Sequence, residues 1–132
     1  MIIEQLVVGM MSVCCYLVAC EETKMAVIID PGGDDEKVLA LCEEKGYQVK
    51  YIINTHAHPD HNCGNAFLKK ATGAEIILHE DDAEFFDRPE ISQFFSALNL
   101  PASPPADKIV KDGDTISFGA VSLKVLHTPG HT

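Results

Sequence analysis

Residues 55–61, THAHPDH, place three imidazoles and a carboxylate within a single short stretch. The stretch directly follows an apolar run that predicts a buried strand. Imidazole and carboxylate are ligands that first-row divalent metals accept, and a turn after a strand can direct several of them at one point. The pattern therefore predicts a metal site, with a polar loop that happens to be rich in histidine as the alternative.

A second histidine-bearing stretch, HTPGHT at 127–132, follows the last predicted strand. Strand ends at one edge of a layered α/β sheet commonly hold ligand sites, so the two stretches could converge. Three neutral imidazoles and one water suffice for a catalytic zinc with an open position. Such a metal would lower the pKa of its water toward neutrality and supply hydroxide for attack on a carbonyl or phosphoryl centre, with Asp60 aligning that hydroxide or holding a second metal.

The elements that must position these residues alternate along the chain. Strands are predicted at 2–8, 12–19, 25–29, 49–54, 75–78, 115–118 and 121–126, and helices at 35–45, 63–72, 83–86 and 90–98. Alternating strands and helices favour α/β layers, whereas the opening three-strand meander makes the sheet mixed rather than purely parallel. At 132 residues, with 46% hydrophobic residues, the chain is expected to form one domain, 1–132.

Charge and cysteine usage restrict the partners and the compartment. The formal net charge of −10 would repel a phosphate backbone, so nucleic acid is not expected as a partner. Five cysteines without Cys-x-x-Cys spacing indicate reduced thiols in a cytoplasmic protein. The uncharged run at 6–20 is too short to span a bilayer and follows Glu4 rather than a basic residue, so neither a targeting segment nor a membrane partner is expected.

Several residues allow two interpretations. Asp30, at the end of a strand, could accept hydrogen bonds that steady the metal loop or could simply form a turn. His79 could be a ligand by position or a capped turn residue, and Cys63 a thiolate beside the metal or a small packed side chain. The phenylalanines could line a lid or fasten a helical insert to the sheet; they are Phe85, Phe86, Phe94 and Phe95.

The two motifs together resemble the metallo-β-lactamase superfamily, on its glyoxalase II-like (hydroxyacylglutathione hydrolase-like) branch. The resemblance includes NCGN at 62–65 and DPG at 30–32 and runs through the whole chain. It implies the N-terminal half of an αββα sandwich, with a mixed sheet and helices on one face. It also implies that His56, His58 and His131 ligate a first metal and that Asp60 and His61 belong to a second, whereas His127 has no implied role.

The sequence departs from that family at its end, since it contains neither the aspartate that bridges the two metals nor the last histidine of the second site. We therefore expect a C-terminally truncated domain with one well-formed site and one incomplete site. Zn²⁺ is the expected metal, with Fe or Mn as alternatives. The expected function is hydrolysis of a small-molecule thioester or related ester by a metal-bound hydroxide; the alternative is an inactive metal-binding fragment or partner-binding half-domain. A homodimer could cover the sheet face that truncation would expose.

Overall fold

The computed structural model describes residues 1–86, 90, 93, 96–97 and 100–128. His131 and the side chains of the four phenylalanines lie outside this part, as does most of the helix expected at 90–98. The elements, in chain order, are β1 (Ile2–Val8), β2 (Val13–Ala19), β3 (Met25–Ile29), α1 (Asp35–Lys45), β4 (Gln48–Ile53), α2 (Pro59–Asn62), α3 (Asn65–Thr72), β5 (Glu75–His79), α4 (Glu80–Phe86), β6 (Lys108–Val110), β7 (Thr115–Phe118) and β8 (Val121–Lys124).

The first six strands form one sheet in sequence order. The pairs β1–β2 and β2–β3 are antiparallel, and the pairs from β3 to β6 are parallel, which confirms the mixed sheet. Strand β6 was not predicted, because three residues are too few to show a periodicity. Its pairing with β5, in which Lys108 lies opposite Ile77, is a tertiary contact that local sequence does not encode.

Strand residues alternate between two buried faces, as the pleat requires. On one face, Ile28, Ile52 and Ile76 pack with Val38 of α1 and Leu68 of α3, so these helices lie on one side as expected. On the other, the central strands pack against the hairpin of β7 and β8. The residues in this second cluster include Val18, Val27, Tyr51, Ile77, Ile116 and Phe118.

The hairpin corrects the expectation of an uncovered sheet face. Ile116 and Phe118 are both buried, Phe118 almost completely, because they lie over the central strands. The exposed apolar side chains of β1 are those of Ile3 and Val7, at 57% and 64% exposure. The far face is therefore covered at its centre and apolar at its β1 edge.

Glycines end the helices on either side of the histidine loop. Gly46 follows α1 and Gly73 follows α3, both with the left-handed backbone that favours glycine, and the two helices end at 45 and 72 as predicted. The short α2 was not predicted separately; it begins at Pro59, whose fixed φ suits the first helical turn. Among the described residues, no helix is both long and apolar enough to cross a membrane.

Candidate metal centre

The histidine loop lies where parallel strands end side by side. Asp30 follows β3, the loop follows β4, and His79 closes β5. Because β3, β4 and β5 run in the same direction, their carboxyl ends share one edge of the sheet. This edge is the common place for ligand sites in layered α/β folds.

Asp30 organises the loop through hydrogen bonds to its buried carboxylate. The residue is 4% exposed and has a left-handed φ of 55°, an uncommon conformation for a residue with a side chain. Its Oδ1 accepts the Thr55 backbone N–H at 2.8 Å, and its Oδ2 accepts the Thr55 hydroxyl at 2.6 Å. The Oδ2 atom also lies 3.0 Å from His61 Nδ1. Of the two interpretations of Asp30, these contacts favour the acceptor that steadies the loop.

The same carboxylate sets the tautomers of two histidines. Because an ionised carboxylate can only accept, His61 Nδ1 carries the proton in the bond to Asp30. The Thr55 hydroxyl donates its single proton to Asp30, so it accepts from His56 Nδ1, 2.9 Å away. In the neutral form of each imidazole, Nε2 is then the nitrogen that carries the lone pair. Orientation of metal-binding imidazoles by a carboxylate is a recurrent feature of metal sites.

Three ligand atoms converge at this point: one atom each from Asp30, His56 and His61 lies within 4.8 Å of the others. The rings of His56 and His61 are 4.1 Å apart between centroids. His58 lies beside His56, with centroids 4.8 Å apart and ring planes nearly perpendicular. Asp60 lies beside His61, with its Oδ2 3.7 Å from His61 Nε2. The four loop residues predicted as ligands are therefore neighbours, whereas His131 lies outside the described residues.

The donor set suits a borderline divalent ion. Imidazole nitrogens and carboxylate oxygens are the ligands of catalytic zinc and of non-haem iron sites. Ligand atoms bound at about 2.1 Å around a tetrahedral ion lie about 3.4 Å apart. The 3.7 Å between His61 Nε2 and Asp60 Oδ2 is only slightly longer. The residues present thus fit a divalent metal by ligand type, and His61 and Asp60 fit it by separation with a small side-chain movement.

The hydrogen bond to Asp30 raises the pKa of His61 above its ordinary value of 6.5. Burial lowers the pKa, and the charges of Asp30 and Asp60 raise it further. Because a metal binds the unprotonated nitrogen, a proton on His61 competes with the metal. The carboxylate that orients the ring therefore also increases its basicity.

Buried amides hold the loop against α3. Asn54 and Asn65 exchange side-chain hydrogen bonds of 3.3 and 2.6 Å, and Asn65 also donates to Ser103 Oγ at 2.9 Å. Asn62 donates to the His58 carbonyl at 3.0 Å. All three asparagines are buried. Sequence reasoning assigned them no individual role, although asparagines bordering apolar segments on both sides of the histidines were a signal.

Cys63 is the nearest thiol to the loop in sequence. It is 5% exposed, and burial is the main cause that raises its pKa to about 11. A thiol with so high a pKa is a poor source of thiolate. This favours the interpretation of Cys63 as a small packed residue.

Comparison with known proteins identifies a matching family and similar proteins. The family model for the metallo-beta-lactamase superfamily matches residues 8–132. The hydroxyacylglutathione hydrolase of Polaromonas sp. is 42% identical over 118 residues, which is 89% of this chain and 38% of that protein. Hydroxyacylglutathione hydrolase GloC of Haemophilus influenzae is 34% identical over 114 residues, covering 85% of this chain and 54% of that protein.

Solved structures show the same fold. BLEG-1 B3 metallo-beta-lactamase has a TM-score of 0.86 at 26% identity, over 99% of this chain and 63% of that one. TTHA1623 in a di-iron-bound form has a TM-score of 0.81 at 31% identity, over 98% and 62%. The chain spans between 38% and 63% of the length of these four relatives. With residues 8–132 matched and the fold shared, the chain belongs to the metallo-beta-lactamase superfamily and has glyoxalase II-like relatives.

Proposed function

We propose that this chain is part of a metal-dependent hydrolase that acts on a thioester or related ester. The single observation that carries the proposal is the Asp30 carboxylate, which holds His61 with its Nε2 near Asp60 and, through the Thr55 hydroxyl, holds His56 beside it. Superfamily membership and the relatives named as hydroxyacylglutathione hydrolases support the reaction class.

Each residue of the loop has a proposed role. His56, His58 and His61 present imidazole nitrogens, His131 is proposed as a further ligand from the family resemblance, and the Asp30 carboxylate holds the rings. A bound divalent ion, with zinc proposed and iron or manganese as alternatives, would act as a Lewis acid and activate water at neutral pH. The Asp60 carboxylate, which is 26% exposed, is proposed to ligate the ion and to orient the proton of the attacking water.

The overall reaction balances without a further reactant. Water adds to the acyl carbon, the carbon–sulfur bond breaks, and the sulfur leaves as a thiol while the acyl group becomes a carboxylic acid. A cytoplasmic location is proposed as well, since all five cysteines are free thiols.

The test uses zinc-loaded protein and a hydroxyacylglutathione thioester, with thiol release followed by a chromogenic thiol reagent. We expect thiol release that is lost in His56→Ala and reduced by roughly a hundredfold in Asp60→Asn, since general acid–base groups contribute about that much. The exposed Lys70→Ala on α3 is the matched control and is expected to behave as the unsubstituted protein.

Two outcomes would contradict the proposal. Protein that binds zinc at the loop but hydrolyses neither thioesters nor oxygen esters would favour the inactive metal-binding alternative. Turnover that survives His56→Ala undiminished would place the chemistry elsewhere.

A further inference from the structure

A second group of metal-ligand side chains shares no residue with the histidine loop and consists of His79, Asp81 and His127. One ligand atom from each lies within 4.8 Å of the others. The residues come from three places in the fold: the end of β5, the first turn of α4 and the segment after β8. We propose that these three side chains form a second, separate binding site for a divalent cation of the zinc class.

The separations of the ligand atoms are close to those of an occupied site. His79 Nδ1 and His127 Nε2 lie 3.9 and 3.6 Å from Asp81 Oδ2. Atoms bound at about 2.1 Å to a tetrahedral ion lie about 3.4 Å apart, so the two separations from Asp81 need to contract by only a few tenths of an ångström. The two histidine nitrogens lie within 4.8 Å of each other. Two imidazoles and one carboxylate leave a fourth position for water.

The two imidazoles are held next to each other. Their rings stack with centroids 3.9 Å apart and planes inclined by 15°. The Asp81 backbone N–H donates to His79 Nδ1 at 3.1 Å, which places the lone pair of that nitrogen toward the turn that carries the Asp81 carboxylate. A metal would replace this hydrogen bond. His127 is anchored by its own backbone N–H, which donates to Asp112 Oδ1 at 2.8 Å.

Access and charge also favour a cation at this place. The His79 side chain is 11% exposed, whereas the side chains of His127 and Asp81 are 32% and 69% exposed, so an ion can enter from solvent. Glu80 and Asp82 flank Asp81 in the first turn of α4 and add negative charge. A bound ion would link α4 to the segment after β8, which lies far away in sequence.

The experiment is a Zn²⁺ titration of the metal-free full chain, followed by calorimetry and by long-range ¹H–¹⁵N spectra of the imidazoles. We expect zinc to bind in two classes of site. His79→Ala and His127→Ala should each remove the same class of site, the one assigned to His79, Asp81 and His127. The double variant His56→Ala/His61→Ala should remove the other class and leave the shifts of the His79 and His127 nitrogens intact.

Two substitutions on the surface of α4 distinguish the loss of a metal ligand from the loss of a negative charge. Asp81→Asn keeps the backbone N–H that bonds His79, so its fold is expected to be retained. It should weaken the second class by roughly tenfold or more, since loss of a group that only orients a ligand already costs that much. Glu80→Gln removes the same charge from the neighbouring exposed residue, which is not a proposed ligand. It should weaken the second class much less than Asp81→Asn does and should leave the first class unchanged.

Unchanged zinc stoichiometry in folded His79→Ala and His127→Ala would overturn the proposal and leave the histidines as a stacked packing pair. Equal weakening by Asp81→Asn and Glu80→Gln would also overturn it, because a diffuse acidic surface would then explain the binding. Neither readout depends on turnover, so failure here is distinguishable from failure of the hydrolase proposal.

Discussion

At the scale of single residues, the Asp30 carboxylate determines how the histidine loop can bind a metal. It accepts from Thr55 twice and from His61 once, and the Thr55 hydroxyl relays its effect to His56. The sequence suggested this role but left a simple turn as an equal alternative. The structure decided between the two roles, because it brings Asp30 into contact with residues that lie 25 and 31 positions further along the chain. Local sequence does not reveal such contacts.

Asp30→Asn is expected to weaken zinc binding at the loop by about 10- to 100-fold. The amide nitrogen that replaces one carboxylate oxygen donates but cannot accept a hydrogen bond, so the asparagine cannot keep all the bonds that Asp30 accepts from Thr55 and His61, and the tautomers of the rings are no longer fixed. The measurement is competition for Zn²⁺ with a chromophoric chelator.

Thr55 provides the matched comparison. Thr55→Ser keeps the hydroxyl relay to His56 and should bind zinc as the unsubstituted chain does, whereas Thr55→Ala should bind it more weakly. Affinity unchanged in both Asp30→Asn and Thr55→Ala would refute the orienting role.

At the scale of elements, close backbone contacts fix the loop between β3 and α3. A Cβ atom at Gly32 would collide with the Asp60 carbonyl oxygen, and one at Gly64 would lie 2.6 Å from the Pro31 carbonyl oxygen. The glycines of the two segments therefore let the backbones after β3 and β4 touch. The sequence contained these glycines but not the contact, since glycine is compatible with many turns.

Gly32→Ala is expected to lower both stability and zinc affinity, because the new methyl group must displace the backbone of Asp60. Gly46→Ala is the control: no atom lies within 4 Å of its Cβ position, but its φ of 70° disfavours alanine. The control should lose about 1 kcal/mol of stability and no zinc affinity. Urea unfolding and the chelator assay measure the two quantities, and equal zinc affinity in both variants would contradict the loop contact.

At the scale of the whole molecule, one ion pair joins α3 to the segment that enters β6. Lys69 Nζ lies 2.5 Å from Asp107 Oδ2, and the same carboxylate oxygen accepts the Ile76 backbone N–H at 2.8 Å. The hydrogen bond from Lys69, followed by that from Ile76, holds the pKa of Asp107 below its ordinary value of 3.8. The pair is about one-third exposed, so its contribution to stability is modest.

The lowered pKa of Asp107 determines how the stability of the folded state changes with pH. Asp107 stabilises the folded state above the unfolded pKa, and this contribution is lost as the pH falls through the lower folded pKa. Asp107→Asn should therefore be less stable than the unsubstituted chain at neutral pH, and the difference should shrink as the pH falls below about 4. Urea unfolding across this range measures it, with the exposed Glu22→Gln as control. A difference that grows on acidification would contradict the assignment.

The homodimer stays a prediction at this scale. The hairpin of β7 and β8 covers the central strands, and the apolar edge at Ile3 and Val7 stays exposed on that face, so we expect dimerisation there. Sedimentation of the unsubstituted chain and of Val7→Lys should show a dimer that the substitution weakens. A stable monomer of the unsubstituted chain at micromolar concentration would contradict it.

The sequence alone determined the local features of this protein: the histidine loop after a strand, the glycine ends of α1 and α3, and the mixed order of strands. These are encoded by ligand chemistry, side-chain periodicity and backbone preference within short windows. The tertiary structure showed that Asp30 is the carboxylate that orients the histidines and that β6 pairs with β5. It also showed that the hairpin covers the far face of the sheet and that the side chains of His79 and His127 are in contact. Each of these depends on which distant segments pack together, and residue type constrains that only weakly.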